Sequence, residues 1–343
     1  MKIIVDDKIP FIQGQVEKLG TAVYLPGAAI SAADVKDADV VVTRTRTHCN
    51  AELLEGSSVK LVATATIGFD HIDVPFMERS GIAWTNCPGC NATSVAQYVE
   101  SSLLLLEAEN IINLKHCTVG VVGVGNVGRR VAERIEALGC RVLLNDPPRA
   151  KAEADFAQQH VSMDELQSAC DVITFHTPLV EGGEHSTFHL ASQSFFAKLQ
   201  KRPVIINAGR GEVVDTQALL QALANGKVSE VIIDTWEGEP NIHRELLEKV
   251  FIGTPHIAGY SADGKANGTR MSLEAIAKHF GLDAHFEVCP PALPKDFCYY
   301  PEGGTPTDER LRLYDPRRDS NALKANPEDF EYLRGHYPLR REF

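Results

Sequence analysis

Residues 118–138 read TVGVVGVGNVGRRVAERIEAL, and this stretch decides the fold. The strand-like run TVGVV leads into the pattern Gly123-x-Gly125-x-x-Gly128, and the helix-like run Arg129–Leu138 follows directly. In that context the first glycine permits a tight turn, the second lets the backbone approach a pyrophosphate, and the third permits close packing of helix on strand. Unpaired N–H groups at the start of the helix would face the phosphates. The stretch therefore predicts a dinucleotide-binding loop.

An acidic residue follows the next strand-like run. Asp146 ends the run RVLLND, downstream of Gly128, where a carboxylate can accept hydrogen bonds from the adenosine ribose. A 2′-phosphate would be repelled there, so NAD is predicted as the cofactor in preference to NADP. The alternative is a glycine turn that binds no ligand, and the joint occurrence of strand, helix and acid argues against it.

Strand-like and helix-like runs alternate along most of the chain. The predicted strands are Lys2–Val5, Ala38–Thr43, Lys60–Ala65, Thr118–Val122, Arg141–Asn145, Val172–Phe175, Val204–Asn207 and Val231–Asp234. Such alternation predicts an α/β protein with parallel sheets, and the second series has the layout of a doubly wound nucleotide-binding domain. Between the two series, a long buried helix is predicted from Thr93 to about Leu114, with Thr93 or Ser94 as its N-cap.

Composition limits the partners. A chain of 343 residues with 44% apolar content is long enough for two or three domains. The formal net charge of -12 argues against nucleic acid or an anionic membrane as the main partner. Eight scattered cysteines predict reduced thiols in the cytoplasm, not a disulfide framework. The first residues turn acidic too early for a signal peptide, and no metal site is predicted.

The composition changes towards the end of the chain. From Glu287 to Pro306, prolines and glycines are crowded together, which predicts a linker or an extended arm. The stretch from Leu311 onwards is rich in Arg, Asp and Tyr. It has too few apolar residues for a core of its own, so we expect it to pack on another surface, such as a second subunit.

Three charged residues follow strand-like runs in the second half: Arg210, Glu239 and His256. The carboxyl ends of parallel strands face the ligand crevice, so these side chains can converge. Hydride transfer from C2 of a hydroxy acid needs a group that takes the hydroxyl proton, for which His256 is suited. Glu239 would hold its ring, and Arg210 would bind the substrate carboxylate and the C2 oxygen. A lone histidine after a strand is more often structural, so the prediction rests on the set.

The chain resembles the D-2-hydroxyacid dehydrogenases up to about residue 285. The matching stretches are ATATIGFDHID (63–73), GVVGVGNVGRR (120–130), HTPL (176–179), NAGRGEVVD (207–215), DTWEGEP (234–240) and TPHIAGY (254–260). The resemblance implies two doubly wound, Rossmann-like domains with the active site in the cleft between them. It implies that Arg210 and Glu239 are active-site residues and that His256 is the proton donor in the reductive direction.

The resemblance also implies the domain organisation. Residues 1–95, completed by 258–285, would form the substrate domain, and 96–257 the NAD-binding domain. Residues 286–343 would form a small C-terminal region that mediates homodimerisation.

Finer features resemble one subgroup, which oxidises 4-phospho-D-erythronate in vitamin B6 biosynthesis. They are PGCNA (88–92), NDPPRA (145–150), WEGEP (236–240), HIAGYSADGKANGT (256–269), LYDPRRD (313–319) and LRREF (339–343). The implied partner is a small phosphorylated hydroxy acid. The implied NAD contacts are Gly123, Gly125, Asn126, Val127, Gly128, Asp146, Thr177, Ala208, Gly209, Arg210, Asp234 and Gly259.

Substrate contacts are implied for Thr45, Thr66 and Tyr260. Arg44 and Arg46 flank Thr45 and can supply positive charge for a phosphate, although either is equally well explained as a solvated surface residue. We therefore include Arg44 among the candidate substrate residues.

Near the C-terminus, Arg340 or Arg341 is a candidate to reach the site of a neighbouring subunit.

Two alternative functions stay open. The same fold can act on another acid, such as 3-phosphoglycerate, glyoxylate or hydroxypyruvate. The chain can also be a nonenzymatic NAD-sensing scaffold, because relatives of the family serve as corepressors. A pure scaffold has no need of a proton donor, so the set of Arg210, Glu239 and His256 favours an enzyme.

Overall fold

The computed structural model describes residues 1–292, 309–338 and 340–342. They form two compact units. The first is Met1–Asn91 with the chain from Ser261 up to the gap at 293, and the second is Ala92–Tyr260 with the described residues after the gap. Residues 286–292 lie in the first unit, not in the C-terminal region as expected, because Phe286 and Val288 pack into its core.

The described residues contain two parallel sheets. The strands are β1 (Lys2–Asp6), β2 (Thr21–Leu25), β3 (Val40–Thr43), β4 (Leu61–Thr64), β5 (Ala83–Thr85), β6 (Thr118–Val122), β7 (Arg141–Asn145), β8 (Val172–Phe175), β9 (Val204–Asn207), β10 (Val231–Ile233) and β11 (Ile252–Gly253). Their order is β2-β1-β3-β4-β5 in the first unit and β11-β10-β9-β8-β6-β7 in the second. This confirms the predicted α/β class with two doubly wound sheets, while β2, β5 and β11 were not predicted.

Helices connect the strands. They are α1 (Ala32–Val35), α2 (Ala51–Leu54), α3 (Val74–Ser80), α4 (Ala92–Ala108), α5 (Asn126–Ala137), α6 (Pro147–Ala152), α7 (Ala154–Ala157), α8 (Met163–Ala169), α9 (Gln193–Ala197), α10 (Thr216–Ala224), α11 (Arg244–Lys249), α12 (Ala262–His279), α13 (Glu309–Leu313), α14 (Arg317–Ala325) and α15 (Phe330–Gly335). Short 3₁₀ turns cover Val16–Lys18, Gly27–Ala29, Leu114–His116, Gly211–Val213 and Pro327–Asp329.

The long helix α4 is buried, as predicted, but its ends differ from the prediction. It begins at Ala92, so Thr93 and Ser94 lie inside it and neither is the N-cap. It ends at Ala108, and Leu114 belongs to a separate 3₁₀ turn. Of the helices in the described ranges, none combines the length and apolarity that crossing a membrane requires.

Apolar side chains cover both faces of each sheet, as parallel sheets require. In the second unit, one core lies between the sheet and the helices α4 and α5. Val119, Val121 and Ile206 are fully buried in this core. The other core is built around Phe175 and Trp236. Each such buried side chain contributes about 1.5–3 kcal/mol.

The strand orders create a switch point in each sheet. The chain leaves β6 towards β7 on one side, whereas β8 adds on the other side. The same change of direction occurs at β1, which lies between β2 and β3. Ligand crevices in doubly wound sheets lie outside the carboxyl ends of the strands at such points.

The described C-terminal residues pack on the second unit of their own chain. Leu311 and Tyr314 join the α4–α5 core, and Leu323 and Phe330 join the other core. The Ser320 hydroxyl accepts a hydrogen bond from the backbone of Gly253 at 3.0 Å. The prediction that this stretch packs on another surface is confirmed, and that surface belongs to the same chain. Contact with a second subunit stays a prediction.

A partly buried carboxyl group in this region, that of Asp319, predicts a pH dependence of stability. Burial raises the pKa of Asp319 to about 6, against the opposing charge of Arg340 and a hydrogen bond from Tyr337. Between pH of about 4 and about 6, the folded state therefore holds the proton more tightly than the unfolded chain does. We predict that the contribution of Asp319 to the free energy of unfolding decreases as pH rises through this window.

Chemical denaturation of the wild type and of Asp319→Asn at pH 4, 5, 6 and 7 measures this contribution. The wild type should lose stability relative to the variant as pH rises. A difference that stays constant across the series would show that Asp319 titrates normally.

Candidate active site

The glycine loop joins β6 to α5 in the predicted way. Gly123 has a φ of 84°, and α5 begins at Asn126. A Cβ atom on Gly128 would lie 1.9 Å from the Gly123 carbonyl oxygen, so a larger residue at 128 would push the helix off the loop. Nothing lies within 4 Å of the corresponding position on Gly125, which leaves room for a ligand beside the helix N-terminus.

Asp146 is tied to this loop. Its Oδ2 accepts a hydrogen bond from the Val124 amide at 2.8 Å, and its Oδ1 accepts one from the Arg149 amide at 3.0 Å. Arg149 also donates from Nη1 to the Val124 carbonyl at 2.7 Å. The carboxylate is therefore fixed beside the glycine loop, where it can accept ribose hydroxyls and disfavours a 2′-phosphate.

The loop after β8 contributes buried polar atoms that fit a bound dinucleotide. Among the described residues, neither His176 Nδ1 nor Thr177 Oγ1 has a hydrogen-bond partner, although both are buried. Burial lowers the pKa of His176 to about 3, so its ring is neutral. Gly123 packs directly on Thr177, since a Cβ on Gly123 would lie 2.8 Å from the Thr177 amide. Unsatisfied buried groups are rare, so this pair beside the glycine loop supports a ligand there.

Arg210 follows β9 in a turn that Asn207 and Gly211 shape. The Asn207 side-chain amide donates to the Arg210 carbonyl at 2.9 Å. A Cβ on Gly211 would lie 2.0 Å from the Trp236 carbonyl oxygen, so only glycine allows this approach. The Arg210 turn is thereby pressed against the loop after β10, which carries Glu239.

Asp234 organises the loop after β11. Its carboxylate is 1% exposed and accepts hydrogen bonds from the Thr254 hydroxyl at 2.7 Å and from the amides of Ile257 at 2.7 Å and Ala258 at 2.9 Å. Burial raises the pKa of Asp234. Between these anchored residues His256 has a φ of 56°, a conformation that non-glycine residues seldom adopt. The buried carboxylate thus holds the turn that presents His256.

His256 and Glu239 are in direct contact. His256 Nδ1 lies 2.8 Å from Glu239 Oε1 and 3.1 Å from Oε2. Their side chains are 26% and 21% exposed, so the pair is sheltered but reachable. Because Nδ1 faces the carboxylate, Nε2 is the atom that can exchange a proton with a ligand. The structure therefore places Arg210, Glu239 and His256 on the loops that follow the adjacent strands β9, β10 and β11. Of the three side chains, Glu239 and His256 are in contact.

His189 has a structural role that the sequence did not reveal. Its Nε2 lies 2.6 Å from Glu237 Oε1, and Glu237 Oε2 accepts a hydrogen bond from the Thr216 amide at 3.1 Å. This contact steadies the loop that carries Glu239. No spacing pattern signals it, since the partners are far apart in the chain.

Three of the other substrate candidates, Arg44, Thr45 and Thr66, lie in the first unit, whereas Tyr260 lies in the second unit, in the loop after His256. Arg44 follows β3, and its Nη1 donates to the Lys8 carbonyl after β1 at 2.8 Å. Thr45 is exposed, and the Thr66 hydroxyl donates to the Gly68 carbonyl at 2.9 Å. Their contact with a substrate stays a prediction.

Arg340 is buried in its own chain, so the prediction that it reaches a neighbouring subunit is wrong. Its guanidinium is 0% exposed and donates to the carbonyls of Ile257 at 3.1 Å, Ala258 at 2.6 Å and Tyr260 at 3.0 Å. It also stacks over the Tyr314 ring at 4.0 Å. The C-terminal segment therefore binds the carbonyl groups of the loop that follows His256, whereas Asp234 binds its amides. The prediction for Arg341 is untested.

The chain is similar to known dehydrogenases. Residues 95–258 match the family model described as D-isomer specific 2-hydroxyacid dehydrogenase, NAD binding domain. A Bacteroides thetaiotaomicron protein named erythronate-4-phosphate dehydrogenase is 53% identical over 343 residues, covering 100% of this chain and 97% of the relative. A protein of the same name from Escherichia coli O1:K1 / APEC is 44% identical over 353 residues, covering 100% and 92%.

Solved structures show the same fold. The D-lactate dehydrogenase of Aquifex aeolicus, complexed with NAD and lactic acid, has a TM-score of 0.64 at 26% identity, covering 82% of this chain and 96% of that one. The NAD⁺-bound 3-phosphoglycerate dehydrogenase of Entamoeba histolytica has a TM-score of 0.67 at 25% identity, covering 82% and 95%.

The Arg340 contacts predict a strong effect on stability. Arg340→Met should lower the free energy of unfolding by at least about 2 kcal/mol, because buried carbonyl groups lose their donor. Arg130 is the matched control, since its side chain is 55% exposed and pairs with Glu133; Arg130→Met should change stability by less than about 0.5 kcal/mol. Urea denaturation measures both, and equal effects would contradict the role assigned to Arg340.

Proposed function

Because this chain belongs to the family of D-isomer specific 2-hydroxyacid dehydrogenases, we propose that it oxidises 4-phospho-D-erythronate with NAD, giving 2-oxo-3-hydroxy-4-phosphobutanoate and NADH. The chain is an NAD-dependent oxidoreductase. The observation that carries the substrate assignment is the full-length identity of 53% to a protein named erythronate-4-phosphate dehydrogenase. The reaction belongs to pyridoxal 5′-phosphate biosynthesis, as the resemblance of the C-terminal motifs also implies.

His256 takes the proton of the C2 hydroxyl on Nε2 in the oxidative direction and returns it in the reductive direction. NAD supplies the acceptor for the hydride that leaves C2. Glu239, 2.8 Å from Nδ1, orients the ring and stabilises it when it carries the proton. Proton and hydride thus leave the same carbinol group, and a keto acid is formed.

Arg210 binds the substrate carboxylate and polarises the C2 oxygen, because a guanidinium can donate two parallel hydrogen bonds and stays charged. Thr45, Thr66, Tyr260 and Arg44 are proposed as further substrate contacts. Part of the support is that Arg44 and Thr66 follow parallel strands at one sheet edge, where ligands bind in doubly wound sheets.

The glycine loop and Asp146 would hold the adenosine and pyrophosphate of NAD. Open space at Gly125 and the unsatisfied Thr177 hydroxyl support this. The other proposed contacts are Gly123, Asn126, Val127, Gly128, Ala208, Gly209, Arg210, Asp234 and Gly259. For Asp234, the hydrogen bonds observed within the chain point first to a role in shaping the loop.

A homodimer in the cytoplasm is part of the proposal. The family resemblance of the C-terminal region supports the dimer. Buried thiols such as Cys49, Cys117 and Cys170 are compatible with a reducing compartment. Light scattering of the purified chain tests the dimer.

Steady-state formation of NADH tests the substrate. We predict that kcat/KM for 4-phospho-D-erythronate exceeds that for unphosphorylated erythronate by at least about 10²-fold, because a site built for a charged group penalises its absence. It should exceed the value for 3-phosphoglycerate by at least about 10-fold, because the carbon chain differs in length.

The other family substrates, glyoxylate and hydroxypyruvate, are assayed in the reductive direction with NADH. A preference for one of these or for 3-phosphoglycerate would assign the chain to another branch of the family. Absence of turnover with every acid, together with measurable NAD binding, would favour the NAD-sensing scaffold.

A further inference from the structure

A second arginine from the C-terminal region lies beside a predicted substrate residue. Arg334, on α15, donates from Nε to the Tyr260 hydroxyl oxygen at 3.3 Å. Its side chain is 30% exposed, and its Nη1 lies 3.6 Å from Glu331 Oε1. The cation is therefore held in place but accessible to a dissolved anion.

The position of this arginine is built into the fold. Helix α15 begins at Phe330, whose side chain is 1% exposed in the core of the second unit. Tyr337 packs edge-on against the Tyr260 ring at 6.2 Å between centroids, and Arg340 binds the Tyr260 carbonyl at 3.0 Å. The C-terminal region thus holds Tyr260 by its backbone, its ring and its hydroxyl group.

The same arginine contacts the loop that carries His256. Arg334 donates to the hydroxyl oxygen of Tyr260, and Tyr260 follows His256 by four residues in the loop that Arg340 binds. Burial lowers the pKa of Arg334, but the contact with Tyr260 and the negative charges of Glu239 and Glu331 outweigh this effect and raise the pKa. In 4-phospho-D-erythronate the phosphorus is four bonds from C2, a span of roughly 5 Å. A phosphate group can thus lie near Arg334 while C2 lies near His256.

We propose that Arg334 and Tyr260 form the subsite for the terminal phosphate of the substrate. This inference rests on the proposed function and deepens it. The Arg334 guanidinium supplies a charge-assisted hydrogen bond and a fixed positive charge, and the Tyr260 hydroxyl donates to a phosphate oxygen. The C-terminal region thereby contributes to substrate selection as well as to stability.

The test compares kcat/KM for 4-phospho-D-erythronate with kcat/KM for unphosphorylated erythronate in each variant. In Arg334→Gln the ratio should fall by about 10- to 100-fold, because one charged hydrogen bond to the phosphate is lost. Arg334→Lys should retain part of the ratio, since it keeps the charge but not the planar fork. Tyr260→Phe should lower the ratio less than Arg334→Gln does. Arg130→Gln removes an exposed charge elsewhere and should leave the ratio unchanged.

Melting temperatures of all variants establish that the compared proteins are folded. An equal loss on both substrates in Arg334→Gln would show a structural role and overturn the proposal, as would an unchanged ratio. A wild type that does not prefer the phosphorylated substrate would instead contradict the proposed function itself. The two failures are therefore distinguishable.

Discussion

The site depends on one buried carboxylate. Asp234 directly follows β10 in the second unit and is almost completely shielded from water. A buried charge is costly unless it is hydrogen bonded. Asp234 meets this requirement by accepting a hydroxyl and two amide hydrogens from the loop after β11. The same three bonds that satisfy the carboxylate hold His256 in its left-handed conformation.

Neighbouring loops complete the arrangement. Gly211 lets the Arg210 turn approach Trp236 closely, and the His189–Glu237 contact steadies the loop that carries Glu239. From the C-terminal segment, Arg340 binds the carbonyl groups of the His256 loop, whereas Asp234 binds its amides. The loop is therefore restrained through its amide groups and through its carbonyl groups. These restraints explain how the short loop between β11 and α12 holds His256 in one position.

The sequence predicted the features that have a local pattern. The glycine loop, Asp146 and the β-branched runs were recognisable because their spacing reflects strand and helix geometry. The strands β2, β5 and β11 were missed: all three lie at the edges of their sheets, β2 and β5 are only partly buried, and β11 has only two residues. The contact between Glu239 and His256 was predicted from their positions after strands of one sheet.

Long-range contacts of the C-terminal region could not be predicted in the same way. Arg340 lies far along the chain from the carbonyl groups that it binds, and a polar tail offers no periodic pattern. Its scarcity of apolar residues indicated only that it packs on another surface. Likewise, the structural role of Asp234 depends on amides of a loop that the sequence shows only as TPHIAGY. Tertiary partners, not local pattern, determine these roles.

The most direct measurement is the single-turnover rate of NADH formation in Asp234→Asn at saturating NAD and 4-phospho-D-erythronate. Asparagine is nearly isosteric, but its NH₂ group cannot accept the hydrogen bonds that one of the two carboxylate oxygens of Asp234 accepts. If Asp234 positions the proton acceptor His256, the rate should fall by at least about 10²-fold in a variant that remains folded. A folded variant that turns over at the wild-type rate would contradict the account.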